Sequence, residues 1–162
     1  MPSWCIGAGA IRNLVWDRLH DFAAETPPAD IDLVYFDGED ISEDAERRLE
    51  AKLAFAEPGF RWDVVNQAGV HQWVSSHALC TGQPFRSLSE GIASWPEFAT
   101  CVGVTLTNSA EIEIVAPHGL CDLFGMIVRW NPTRVGRAVF AERVASKRFA
   151  ERWPKVTVMT PP

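Results

Sequence analysis

Asp30 and Asp32 are separated by a single isoleucine in the run Ala29-Asp30-Ile31-Asp32-Leu33-Val34-Tyr35-Phe36. In a strand, residues two apart share a face, roughly 6.5–7 Å apart along the chain. Both carboxylates then point to one side, and Val34 and Phe36 continue that side as core. Two such anions repel each other unless a cation lies between them. Magnesium takes oxygen ligands and usually uses one or two carboxylates together with substrate phosphates. Asp63, between Trp62 and Val64 in another apolar run, is a third candidate. If the two strands are neighbours, Asp63 reaches the pair. Three carboxylates around one or two cations suit phosphoryl or nucleotidyl transfer, with the third acid as a ligand or as the base for an attacking hydroxyl. The plainer alternative is a solvated strand start at Asp30–Asp32 and an Asp63 paired with Arg61.

Upstream lies Gly7-Ala8-Gly9-Ala10-Ile11-Arg12-Asn13. Glycines between a strand and a helix let backbone N–H groups approach a phosphate at the helix N-terminus. Gly7, Gly9, Arg12 and Asn13 are therefore candidate nucleotide-binding residues, with Arg12 as the cationic contact. The segment is neither a Walker loop nor G-x-G-x-x-G, and a plain tight turn with Arg12 on the surface is the competing reading. His71, His77 and Cys80 have no evident fourth ligand for zinc. Asn66, Gln67 and His71 either line a pocket or serve as caps. His118, Cys121 and Asp122 share a turn, and no Gly-x-Ser-x-Gly elbow occurs.

These residues need strands and helices to hold them. Trp4–Ile6 reads as a strand, Ala10–Phe22 as a helix, and Ile31–Phe36 as a central strand, apolar on both faces. Ser42 caps a helix running to about Phe55, with Glu43, Asp44 and Glu46 in its first turn. Phe60–Val65 is a strand, Asn66–Val74 a short helix, and Ser87-Leu88-Ser89-Glu90 a capping box for a helix over Leu88–Trp95. Cys101–Leu106 and Glu111–Val115 form a hairpin through Asn108-Ser109. Gly119–Phe124 is a turn or single helical turn, Val139–Trp153 an amphipathic helix, and Val156–Val158 a late edge strand. Trp16, Trp95 and Trp153 are expected in the core. This order predicts an α/β (α+β) chain: a mixed sheet flanked by helices, one domain over residues 1–162, with a C-terminal helix.

The 162 residues can bury a real core, and their net charge is −6, from 15 basic and 21 acidic side chains. That balance argues against long nucleic acid, which is held mainly by Lys and Arg. A bound divalent cation would supply positive charge for a nucleotide. No apolar run approaches the roughly 20 residues that cross a bilayer, and no secretory signal opens the chain. A cytoplasmic protein with no membrane partner is expected. Cys5, Cys80, Cys101 and Cys121 form no CxxC pair, so free thiols are expected.

Gly-x-Gly-x-x-Arg-Asn-x-Val-Trp at Gly7–Trp16, Asp-Ile-Asp-Leu-Val-Tyr-Phe-Asp at Asp30–Asp37 and Trp-Asp-Val-Val-Asn-Gln-Ala at Trp62–Ala68 resemble a bacterial nucleotidyltransferase-like family. So do Ser-Trp-Pro-Glu at Ser94–Glu97 and Ala-Pro-His-Gly-Leu-Cys-Asp-Leu-Phe at Ala116–Phe124. The family is placed in the polymerase-beta-like nucleotidyltransferase superfamily, whose glycine-rich helix start and three acids match Gly9, Asp30, Asp32 and Asp63. The resemblance implies transfer of a nucleoside monophosphate from an NTP to an unidentified acceptor hydroxyl, with Mg²⁺ or Mn²⁺ on the three acids. The alternative is a non-catalytic nucleotide- or partner-binding domain of the same fold. Two departures stand out. Gly9 is followed by Ala10, where the superfamily usually has a second glycine or a serine hydroxyl. Relatives also tend to carry a further N-terminal helical segment, so the first strand is expected to be exposed or covered by another subunit of a homo-oligomer.

Overall fold

The computed structural model describes residues 3–72 and 83–161. Strand β1 (Ser3–Gly7) runs directly into helix α1 (Ala8–Leu19), followed by β2 (Ile31–Phe36), α2 (Glu43–Ala56) and β3 (Trp62–Asn66). After a 3-10 turn at Val70–Gln72 come α3 (Leu88–Ala93), a second such turn at Phe98–Thr100, and the hairpin β4 (Gly103–Leu106) and β5 (Ile112–Val115). The chain ends with α4 (Cys121–Phe124), β6 (Ile127–Val128), α5 (Arg137–Lys147), α6 (Phe149–Arg152) and β7 (Thr157–Val158).

Five strands form one mixed sheet in the order β3-β2-β1-β4-β5. β2 and β3 are parallel and the other neighbours antiparallel. Alternation along β2 sorts its side chains between two cores. Leu33 and Tyr35 pack with Val64 against Leu49 and Leu53 of α2. Val34 and Phe36 face the other way, with Cys5 and Val65, against Leu88, Ile92 and Trp95 around α3. A third cluster joins α1 to the C-terminal segment through Trp16, Phe140, Phe149 and Trp153. Its polar atoms are matched: the indole N–H of Trp16 donates to the Leu123 carbonyl at 2.8 Å, and that of Trp153 to Asp17 at 2.6 Å.

Serine caps set the starts of α2 and α3. The Ser42 hydroxyl accepts from the Ala45 N–H at 3.3 Å, and the Ser87 hydroxyl from the Glu90 N–H at 3.1 Å. Five expectations are corrected. The first strand is neither exposed nor left to another subunit, since β1 is paired on both edges, by β2 and β4, and Cys5 within it is fully buried. Helix α1 begins at Ala8 and stops at Leu19, because Asp21 takes a left-handed conformation (φ 56°). Asn66 closes β3 instead of opening a helix; its backbone N–H is taken by the Glu46 carboxylate at 2.7 Å. The helix expected over Val139–Trp153 breaks at Arg148 (φ 51°, ψ 46°), and both Phe149 and Trp153 then reach the α1 core. β7 pairs with β6 in a separate two-stranded parallel sheet and does not extend the main one. Cys5, Cys101 and Cys121 are free thiols, as expected. Cys80, His77 and the end of the Asn66–Val74 helix lie outside the described residues.

Candidate active site

Strand register builds the site. Gly7 of β1 stands opposite Asp32 of β2, and Asp32 stands beside Asp63 of the parallel strand β3. One row across three strands therefore carries the end of β1, where α1 starts, and two of the acids. Asp32 lies on the same face as Val34 and Phe36, and Asp63 on the face of Val65, so both emerge where the α3-side core ends. Asp30, Asp32 and Asp63 line one cavity of about 300 Å³, together with Gly9, Arg12 and Gln67. Val34, Val65, Trp95 and Pro96 supply its apolar surface, and Arg134, Arg143 and Lys147 a basic wall.

The acids feel one another. Burial pushes Asp32 up to about 6, the charges of Asp30 and Asp63 add to the shift, and the Gly9 backbone N–H and Arg143 oppose it. Asp63, on the edge strand, is also raised, by desolvation first and by Asp30 second, against the pull of Arg61. Arg61 thus acts on Asp63 electrostatically while all three acids stay in the cavity wall. The donor set is hard oxygen, which fits Mg²⁺ or Mn²⁺. Among the described residues, no three His, Cys, Asp or Glu side chains are gathered tightly enough to enclose an ion. Mutual repulsion opposes that gathering, and Mg²⁺ usually completes its shell with water and substrate phosphates.

The glycine turn divides. Gly9 lines the cavity, and its N–H faces Asp32. Gly7 is outside the lining: a Cβ there would lie 2.7 Å from the Trp95 ring and 3.0 Å from the Val102 carbonyl, so packing requires glycine. Asn13 is also outside it; its amide donates to the Thr26 carbonyl at 3.4 Å and accepts from Arg12 at 2.8 Å. Arg12 lines the cavity but is not a surface residue. It is 3% exposed, and its guanidinium lies 5.0–5.6 Å from the ring centroids of Phe149, Trp16 and Trp153. Burial lowers it to about 10, so it stays cationic at neutral pH.

Of the other residues singled out in the sequence, Gln67 joins the cavity, with a buried side-chain oxygen that has no partner. Asn66 instead ties the loop after β2 through Asp37 and Asp40. His71 and His118 bond to the carbonyls of Ala68 and Ala93, and Asp122 pairs with Arg129. The basic wall was not foreseen. Arg143 and Lys147 are four residues apart, which places them on one helix face, but such spacing is ordinary on solvated helices.

This sheet, with a glycine turn into its first helix and acids on the next two strands, has the architecture of the nucleotidyltransferase fold. A solved structure described as "The NMR structure of the protein reveals a CCA-adding enzyme head domain" has the same fold, with a TM-score of 0.77 and 26% identity over 98% of this chain and 82% of that one. A family model described as Nucleotidyltransferase matches residues 1–158, and the chain belongs to that family. No curated protein gives a significant match. Family and fold support nucleotidyl transfer in general. Among the described residues, no helix is long and apolar enough to cross a membrane.

Proposed function

We propose that this protein moves a nucleoside monophosphate from an NTP to an acceptor hydroxyl, with Mg²⁺ or Mn²⁺ held by Asp30, Asp32 and Asp63. The observation that carries the reading is the convergence of the three acids on one cavity wall beside the start of α1. A bound divalent ion would neutralise phosphate charge there. The acceptor oxygen forms a bond to the α-phosphorus, the bond from that phosphorus to the oxygen bridging toward the β-phosphate breaks, and pyrophosphate departs. Asp63, the most exposed of the three, takes the hydroxyl proton. Gly9 and Arg12 serve the phosphates, with Arg12 as a fixed cation braced on aromatic rings. We assign the protein to the cytoplasm; its charge disfavours a long nucleic-acid acceptor.

A second reading, binding without turnover, has its own support: Ala10 offers no hydroxyl, and the Gly9 N–H is already directed at Asp32. Melting with each NTP and Mg²⁺, combined with a pyrophosphate assay, separates the two. Linkage gives about 2.7 kcal/mol of stabilisation at a hundredfold excess over Kd. A raised Tm with pyrophosphate release supports transfer. A raised Tm without release from any acceptor pool supports binding alone. An unmoved Tm discards both.

A further inference from the structure

The wall facing the carboxylates comes from the other end of the chain. Arg143 and Lys147 lie on α5 and line the same cavity as Asp32. Arg143 donates its Nε to Glu97, a carboxylate 1% exposed that also accepts from the Thr100 hydroxyl at 2.9 Å. That bond fixes the guanidinium while using one of its five donors. Lys147 has no ion pair or hydrogen bond among the described residues, and none of the three acids is ion-paired with α5. Nearby, buried Arg12 makes no ion pair among the described residues, although the charges of Glu97 and Asp32 act on it, and its Nε has no acceptor. A buried cation with an unmet donor is costly until an anion completes it. The cavity thus brings carboxylates suited to a cation together with an unpartnered Lys147, an Arg143 with donors to spare and an unmet donor on Arg12.

We propose that Arg143 and Lys147, together with Arg12, seat the β- and γ-phosphates of the NTP, so that the C-terminal helix holds the pyrophosphate that leaves. The proposal rests on the nucleotide reading above and adds to it the division of the cavity. Glu97 is a positioning residue here, because it sets the direction of Arg143 and has no place in the lining. Lys147 is the cleaner probe, since removing it orphans no partner, whereas Arg143→Ala would leave Glu97 buried and unpaired.

The test is calorimetric titration of the full chain with ATP, GTP, CTP and UTP and with their monophosphates, all with Mg²⁺. Wild type, Lys147→Ala, Lys147→Glu and Arg143→Lys are compared, with the exposed Lys52→Ala as the charge-matched control. Lys147→Ala should weaken triphosphate binding on the order of tenfold, the size of one hydrogen bond to a charged group. Lys147→Glu should weaken it further and Arg143→Lys less. Monophosphate binding should change little in any of them, and Lys52→Ala should match wild type. Triphosphate affinity unchanged in both Lys147 variants would overturn the proposal while leaving the nucleotide reading intact. An equal loss for monophosphates would also overturn it, because the contact would then not be to the β- and γ-phosphates. A wild-type protein that binds no NTP would end both.

Discussion

At the scale of single residues, the ionisation of Asp32 bears on stability and, in the proposed reaction, on holding the cation. Its folded value of about 6 lies above the ordinary 3.8, so between these values the folded protein holds a proton that the unfolded chain has released. The resulting stability is fully present below about pH 4 and is lost as pH rises through about 6. Asp32→Asn removes that penalty, which is at most about 3 kcal/mol at 1.36 kcal/mol per pH unit. We expect the variant to melt several degrees higher than wild type at pH 7, to show a smaller pH dependence of melting between pH 4 and 6, with the part due to Asp63 and Glu46 remaining, and to release no pyrophosphate. Wild-type pyrophosphate release would remove Asp32 from the chemistry. Arg12→Ala should reduce NTP affinity on the order of tenfold or more, measured by titration, even though it also loosens the aromatic stack. The three acids were legible in the sequence because one-residue spacing and an isolated acid in an apolar strand are local patterns. That Arg12 is buried was not legible, since its covering rings arrive from residues 149 and 153.

At the scale of elements, strand register and two tight contacts hold the site in shape. A Cβ on Gly7 would collide with Trp95, which lines the cavity. Gly7→Ala should therefore cost about 1–3 kcal/mol, the usual range for overpacking, and lower activity along with Tm in denaturation and turnover assays. The Asn66 side chain accepts from the N–H groups of Asp37 and Ala68 and donates to the carbonyls of Asp37 and Asp40. Asn66→Ala leaves these groups short of partners, and a loss of about 3 kcal/mol is expected in urea unfolding. Strands β1 to β5 could be read from apolar runs and turn residues. The parallel pairing of β2 with β3, which puts Asp63 beside Asp32, could only be supposed. The break at Arg148 left no trace in the sequence, because nothing about arginine announces a left-handed residue; the demand comes from Phe149 and Trp153 seeking the same core.

At the scale of the whole molecule, the two ends of the chain meet. Trp16 and Trp153 contact at 5.3 Å between centroids, and Asp17 accepts from Trp153 across 136 residues of sequence. That contact anchors the segment carrying Arg143 and Lys147 over the site built by the first three strands. Both tryptophans were identifiable as core from the sequence, but not as each other's neighbours, since distance along the chain hides such pairs. The acids of the cavity come from β2, β3 and the residue before β2, and its cations from α1, Arg134 and α5.

In the proposed reaction Asp30, Asp32 and Asp63 share a divalent ion with a bound triphosphate. Anomalous diffraction from a crystal grown with Mn²⁺ and a non-hydrolysable NTP tests it most directly. A manganese peak is expected at about 2.0–2.3 Å from a carboxylate oxygen of Asp32 and of at least one of the other two, with the triphosphate in the same cavity. A well-ordered nucleotide with its manganese away from all three acids would contradict it.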